Sequence, residues 1–149
     1  VFNRIQIYEG QNGTKILRDN DRAYKSGKNI KKEYGILKDL IHPNIVKVFR
    51  CGEYLEMEYF DGVPLVAPTD KQLMELKLAI NYIHSEGIKH NDLMGYNILS
   101  DGKTIKIIDF GNAGPYHKKA KDVEGCKRED WAMYALFAIN NDVMKRSRS

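Results

Sequence analysis

The chain has 149 residues, 42% of them hydrophobic and 30% charged, and 24 basic against 20 acidic groups leave it at +4. That length suits one domain or two small lobes sharing a cleft, and so mild a charge argues against nucleic acid as a partner. No apolar run approaches the roughly 18 residues of a membrane span, and "VFNRIQIYEG" interrupts its apolar residues with a polar pair, so neither a membrane segment nor a leader is expected.

In chain order, Ile5 and Ile7 alternate with polar neighbours and predict a strand. "YEGQNG" (8–13) is a turn or loop, and "TKILR" (14–18) and "RAYKS" (22–26) are strands joined by Asp19-Asn20-Asp21. Apolar residues at 30, 34, 37 and 41 predict a helix over 29–41 with Asn29 as its N-cap. Gly35 inside it costs about 1 kcal/mol relative to Ala, so that helix needs tertiary support. Residues 44–60 predict two strands turning at Cys51-Gly52, and "DGVPLVAP" (61–68) is a linker. Thr69 and Gln72 form a capping-box signature. Leu73, Leu76, Ile80 and Ile83 then mark one face of a helix stopping at Gly87. "NIL" and "TIKIID" flank an Asp-Gly turn and predict a hairpin. Residues 111–129 read as loop, and 130–139 as a helix. The basic runs at 25–32, 117–121 and 145–149 read as solvated surface and a frayed terminus. His84 and His117 belong to no pattern and read as fillers. Cys51 and Cys126 lack metal-ligand spacing and read as free thiols of a reducing, cytoplasmic compartment, with a disulfide as the alternative.

The chemistry concentrates in "HNDLMGYNILSDGKTIKIIDFG", from His90 to Gly111. Asp92 and Asp109 each open a polar or glycine-containing turn between apolar runs. Taken singly, each could cap its turn, a common task for Asp. Taken with Asn97 and the hairpin between them, they suggest oxygen groups gathered at one place.

On these residues the chain resembles the protein kinases. "HNDLMGYN" is similar to their catalytic loop and "DFG" to their magnesium-binding turn. "RAYK" resembles the third-strand lysine motif, and "HPNIV" and "DWAMYALF" resemble later family segments. The resemblance implies an α+β, bilobal protein-kinase-like fold. Its N-lobe (1–60) would be a small antiparallel sheet with one helix, its hinge 61–68, and its much reduced helical C-lobe 69–149. It implies ATP and Mg²⁺ as cofactors, with Mn²⁺ as a substitute, and a protein hydroxyl as acceptor. Asp92 would orient that hydroxyl, and Lys25 would grip the phosphates, steered by Glu33. Asn97 and Asp109 would hold the metal. Gly10 and Gly13 would cover the phosphates. Ile7, Ala23 and Leu99 would wall the adenine, and Met57, Glu58 and Phe60 would offer backbone groups to its edge. His90 and Phe110 would be core packing, and Asp130 would anchor the catalytic loop. Lys15 is a rival to Lys25, because its spacing to Glu33 is closer to the family's.

The departures are Tyr8 where the first glycine of the phosphate loop would stand, Met94 where a lysine would stand, a short link from Lys25 to Glu33, and only eighteen residues between Gly111 and Asp130. They suggest a minimal form, like the small atypical kinases of the RIO and Bud32 kinds or those of viruses and bacterial effectors. A reduced C-lobe implies a stabilising or activating protein partner covering it. The expected function is a minimal serine/threonine kinase. The alternatives are a pseudokinase acting as a partner-gated binding module and, ranked last, a small-molecule kinase.

Overall fold

Short alternating strands and tight turns build the first layer. The structure, a computed structural model, describes residues 4–10, 13–116 and 123–148, with side chains in the last segment from 127 onward. β1 (Ile5–Glu9), β2 (Lys15–Asp19) and β3 (Arg22–Ser26) follow one another antiparallel. β4 (Val48–Cys51) and β5 (Leu55–Glu58) then complete a sheet of order β1-β2-β3-β5-β4. Period-two alternation sets its faces. Leu55 and Met57 of β5 are buried, while Glu56 and Glu58 between them are partly exposed.

α1 (Ile30–Leu37) buries Ile30, Glu33 and Leu37, one stripe at helical spacing. It is shorter than the 29–41 span expected. The chain leaves the helix after Leu37, so Ile41, placed on the buried face by periodicity, is 85% exposed. Asn29 does occupy the N-cap position, but its side chain makes no capping bond. With Gly35 inside and no side-chain cap, this helix is held by packing rather than by its own propensity.

The second layer is mainly helical. In α2 (Asp70–Ser85) the Thr69 hydroxyl accepts from the Gln72 N–H at 3.2 Å, and Gln72 Oε1 accepts from the Thr69 N–H at 3.1 Å. Leu76, Ala79, Ile80 and Ile83 form its buried face. The helix ends just before Gly87, whose φ of +77° is a left-handed conformation that costs glycine nothing. β8 (Ile98–Ser100) and β9 (Ile105–Ile107) form the expected hairpin. Asp101 Oδ1 accepts from the N–H groups of Lys103 and Thr104 at its turn.

Three stretches differ from expectation. The 61–68 linker carries β6 (Val63–Pro64), which pairs with β8. The 111–129 loop contains β10 (Gly114–Pro115), paired with β7 (Ile88–Lys89). The final helix, α3 (Val123–Ser147), is longer than 130–139 and runs into the basic tail, where Lys145 Nζ meets Asp70 Oδ1 at 2.9 Å. These pieces were hard to foresee because two-residue strands are fixed by their partners, not by a local pattern. The basic run 117–121, with His117, lies outside the described residues. Cys51 is a free thiol.

The two layers are stitched where residues 44–46 run parallel to β9. The Ile107 N–H donates to Asn44 O at 2.7 Å and the Val46 N–H to Ile107 O at 3.0 Å. One buried cluster continues through both layers, from Leu37 and Leu55 to Ile107, Phe110 and Leu76. The fold is thus the bilobal, protein-kinase-like α+β arrangement with a small antiparallel-sheet N-lobe. Among the described residues no helix is long and apolar enough to cross a membrane.

The helix phase of α2 can be tested by paired truncations. Leu76 is fully buried and Leu78 is 54% exposed. Urea unfolding is expected to show Leu76→Ala losing about 2–5 kcal/mol and Leu78→Ala losing at most about 0.5 kcal/mol.

Candidate active site

Where the sheet meets the helical layer, a cleft of about 480 Å³ opens. Lys25 enters it from β3. Its neighbours in the sheet are Ile16 and Leu55, and only its ammonium end needs a polar partner. The buried stripe of α1 supplies one. Glu33 is 1% exposed, and its Oε2 and Oε1 lie 2.9 and 3.3 Å from Lys25 Nζ. A carboxylate so deeply buried requires such a partner. Asp109 Oδ1 is the third member, 3.3 Å from the same Nζ. Burial works against the Lys25 ammonium, but the Glu33 and Asp109 carboxylates outweigh it and raise its pKa. Burial pushes the Glu33 carboxyl up, with Lys25 pulling it down. These two directions oppose each other across one contact, and the 2.9 Å bond supports a retained ammonium on Lys25. The rival Lys15 is half-exposed and reaches only Glu9, at 3.9 Å. The geometry therefore selects Lys25.

The 90–97 loop presents the other groups. Its foundation is Asp130 of α3, which is 2% exposed. Asp130 Oδ2 accepts from the His90 N–H at 3.0 Å and contacts His84 Nε2 at 2.7 Å, while Oδ1 accepts from the Asn91 N–H at 3.0 Å. Asn91 is left-handed, with φ +71°, a conformation Asn tolerates better than most residues. Burial favours the neutral acid at Asp130, but the bonds from His84, His90 and Asn91 outweigh it and lower its pKa. Rather than the filler its sequence context suggests, His84 is a buried partner of this carboxylate. A histidine one residue before a helix end and forty-six before an aspartate gives no local signal of that pairing.

His90 is fully buried, edge-on to Phe110 with ring centroids 4.6 Å apart. Its Nδ1 accepts from the Asp92 N–H at 3.1 Å and its Nε2 donates to Ile108 O at 3.2 Å. That is the neutral tautomer's pattern, and burial lowers its pKa. Asn97, 3% exposed, donates through Nδ2 to Asp92 O at 2.8 Å and Asp92 Oδ2 at 3.0 Å. Gly95, two residues earlier, sits so near the linker that a Cβ there would lie 2.6 Å from Leu65 O. Only glycine lets the loop dock this closely. Asp109 is also left-handed, with φ +56°, and its Oδ1 accepts from the Gly111 N–H at 3.1 Å.

Of the expected site residues, Ile7, Ala23, Lys25, Glu33, Met57, Glu58, Phe60, Asn97, Leu99 and Asp109 line the cleft, and Asp92 stands next to it through its bonds to Asn97. Gly10 and Gly13 do not line it. Their N–H groups are used inside the turn, donating to Thr14 O and Gly10 O, and Tyr8 faces the cleft instead. At the end of β5, the Glu58 and Tyr59 N–H groups already donate to Lys47 O and Asp21 O.

Asn97, Asp109 and Asp92 are a set of hard oxygen donors, the type a magnesium ion takes when phosphates and water complete its shell. Among the described residues no cluster of three His, Cys, Asp or Glu side chains is built to hold a metal without such help.

Comparison with known proteins agrees with this geometry. Residues 9–133 match the protein kinase domain. The chain belongs to the protein kinase family. It is 33% identical over 126 residues to CBL-interacting protein kinase 21 of Oryza sativa subsp. japonica, covering 72% of this chain and 24% of that protein. It is 31% identical over 127 residues to a probable serine/threonine-protein kinase of Arabidopsis thaliana, covering 70% and 22%. It is 39% identical over 110 residues to calcium-dependent protein kinase 6 of Plasmodium berghei, covering 60% and 7%. The chain thus spans less than a quarter of the length of each of these kinases.

Two measurements check the loop. Asp130→Ala removes a buried acceptor from three donors and is expected to cost about 3–5 kcal/mol in chemical unfolding. Because the folded pKa of Asp130 is depressed, its contribution is present above the unfolded value of about 3.9 and is lost only as pH falls through the folded value. The His90 pKa is also depressed, so its neutral ring contributes above about pH 6.5, and that contribution fades as pH falls. The His90 ring resonance in NMR is expected to titrate below pH 6.5; a midpoint at or above that value would contradict a buried neutral ring.

Proposed function

We propose that this kinase domain is an ATP- and Mg²⁺-dependent phosphotransferase acting on serine or threonine hydroxyls of proteins. The observation that carries the reading is the placement of Asp92, held by Asn97, beside a cleft that contains the Lys25, Glu33 and Asp109 triad. Phosphoryl transfer needs positioning and charge neutralisation more than covalent help from the protein. In this reading the acceptor oxygen attacks the γ-phosphorus, the bridging P–O bond breaks, and the nucleoside diphosphate leaves with the electron pair. Asp92 orients the hydroxyl and takes its proton. Lys25 meets the phosphates, and Glu33 fixes where its ammonium points. Asn97 and Asp109 would hold Mg²⁺, which when bound neutralises phosphate charge. Ala23 and Leu99 give the nucleobase two apolar walls, and Phe60 lies at its edge. The name of the Arabidopsis relative supports Ser/Thr as the acceptor class.

The minimal character of the site supports a likeness to the small atypical kinases. Eight positions separate Lys25 from Glu33, so α1 begins almost directly after β3. A second reading, a pseudokinase that binds nucleotide or a partner without transferring phosphate, is favoured by Met94 and Tyr8. Met94 is 43% exposed and brings no positive charge to the acceptor side of the cleft.

Radiolabelled phosphate transfer to a generic acceptor protein separates the two. Asp92→Ala is expected to lower the rate by at least about a hundredfold while leaving nucleotide-dependent thermal stabilisation intact. Asp109→Ala is expected to remove the magnesium-dependent part of that stabilisation. Stabilisation by Mg-ATP without any transfer by the wild type would leave the pseudokinase reading standing.

A further inference from the structure

The turn after Asp109 reaches back to the other acid. Asn112 Nδ2 donates to Asp92 Oδ2 at 3.1 Å, and Asn112 O accepts from Asn91 Nδ2 at 3.1 Å. Asn97 Nδ2 donates to the same Oδ2 at 3.0 Å. One carboxylate oxygen therefore carries two amide donors, one from the 90–97 loop itself and one from the 109–112 turn. Neither donates to Oδ1.

The terminal torsion of an aspartate is broad and nearly two-fold. A single donor leaves the carboxylate free to pivot about that bond. Donors converging on Oδ2 from separate elements, with the Tyr96 hydroxyl also bonded to the carboxylate, restrict that pivot. Asn112 is exposed at the cleft and has no part in the core. Its side chain nevertheless spans from the turn of one acid to the carboxylate of the other, and its carbonyl is tied to the residue before Asp92. The same tie links Asp92 to the Asp109 turn, which Lys25 and the Gly111 N–H hold from the other side.

We infer that Asn112 is a positioning residue for Asp92. It holds Oδ2 through a neutral donor, so that Oδ1 faces the acceptor hydroxyl. This rests on the phosphotransfer reading above, in which the hydroxyl proton passes to Asp92 as the new O–P bond forms and the β,γ-bridging bond breaks. Met94 makes the role more demanding, because no lysine stands two residues after Asp92 to steady the carboxylate from the acceptor side.

The test is steady-state transfer from Mg-ATP to casein by the whole chain, comparing wild type with Asn112→Ala, Asn112→Asp and Asn112→Ser. Asn112→Ala is expected to lower kcat about ten- to a hundredfold with the KM for Mg-ATP nearly unchanged. Asn112→Asp has the same shape but turns the donor into a second carboxylate, and it is expected to be slower still. Asn112→Ser keeps a hydroxyl donor and is expected to recover part of the loss. Thermal midpoints should stay near that of the wild type, since the side chain is exposed; a merely structural role would instead move midpoint and KM together and treat Ala and Asp alike. The inference is overturned if Asn112→Ala retains kcat within about twofold of the wild type, or if Asn112→Asp is as fast as wild type. Those results leave the phosphotransfer reading intact. A wild type that is stabilised by Mg-ATP and transfers nothing overturns both.

Discussion

The site depends on a single buried carboxylate. Asp130 projects from α3 under the 90–97 loop and accepts from the backbone of His90 and Asn91 while contacting the His84 ring. Without it, the part-buried Asn91 N–H would lose its acceptor and the His90 N–H would be buried with no partner, the latter at a cost of about 1–3 kcal/mol. With it, Asn91 is held left-handed, and the chain turns so that Asp92 leaves the core and meets Asn97. Among the described residues, α2 and α3 contribute none to the cleft lining. Their part is to place His84 and Asp130 so that the loop between them has one conformation.

The N-lobe solves a complementary problem. A buried glutamate on the packing face of α1 is costly alone, as is a lysine among Tyr24, Leu55 and Ile16. Pairing them offsets much of both costs and ties α1 to the sheet at one point. The α1 helix is short and lacks a side-chain cap, so this pair and the Ile30–Leu37 stripe have to hold it. Lys32 adds a bond from the exposed face of α1 to Gly111 O, at 3.2 Å. The helix position and the Asp109 turn are therefore coupled. A shift of α1 would disturb Lys25, Glu33 and Asp109 together.

Much of this was legible in the sequence because the decisive signals are local. The Asp-Gly hairpin, the Thr69–Gln72 capping box and the spacing of Leu76, Ile80 and Ile83 each fix structure within a few residues. The kinase-like motifs could be placed on those elements, and of the lysines at positions 15 and 25 it is Lys25 that reaches Glu33. What stayed hidden was long-range. The His84 contact, the β6–β8 and β7–β10 pairings and the Asn112 bond to Asp92 join residues twenty or more positions apart through side chains or two-residue strands. No periodicity encodes such contacts. The glycine turn is a different case. "EGQNG" has the composition of a phosphate-covering loop, but Gly10 and Gly13 use their N–H groups to close the turn, and Tyr8 takes the position over the cleft.

Electrostatically the cleft is asymmetric. Lys25 brings a cation to the sheet side, Asp92 and Asp109 bring carboxylates to the loop side, and the exposed Met94 adds no charge two residues after Asp92. In the phosphotransfer reading, such a cleft would favour a triphosphate only with a divalent cation between the acids and the phosphates. Paramagnetic broadening by Mn²⁺, added with a non-hydrolysable ATP analogue and followed by NMR, tests this most directly. The resonances of Asn97, Asp109 and Gly111 should broaden first, well before those of the surface acids Asp101 and Asp142, and the effect should require the nucleotide. Broadening that began at the surface acids, or that was the same with and without nucleotide, would contradict a metal–nucleotide site in this cleft.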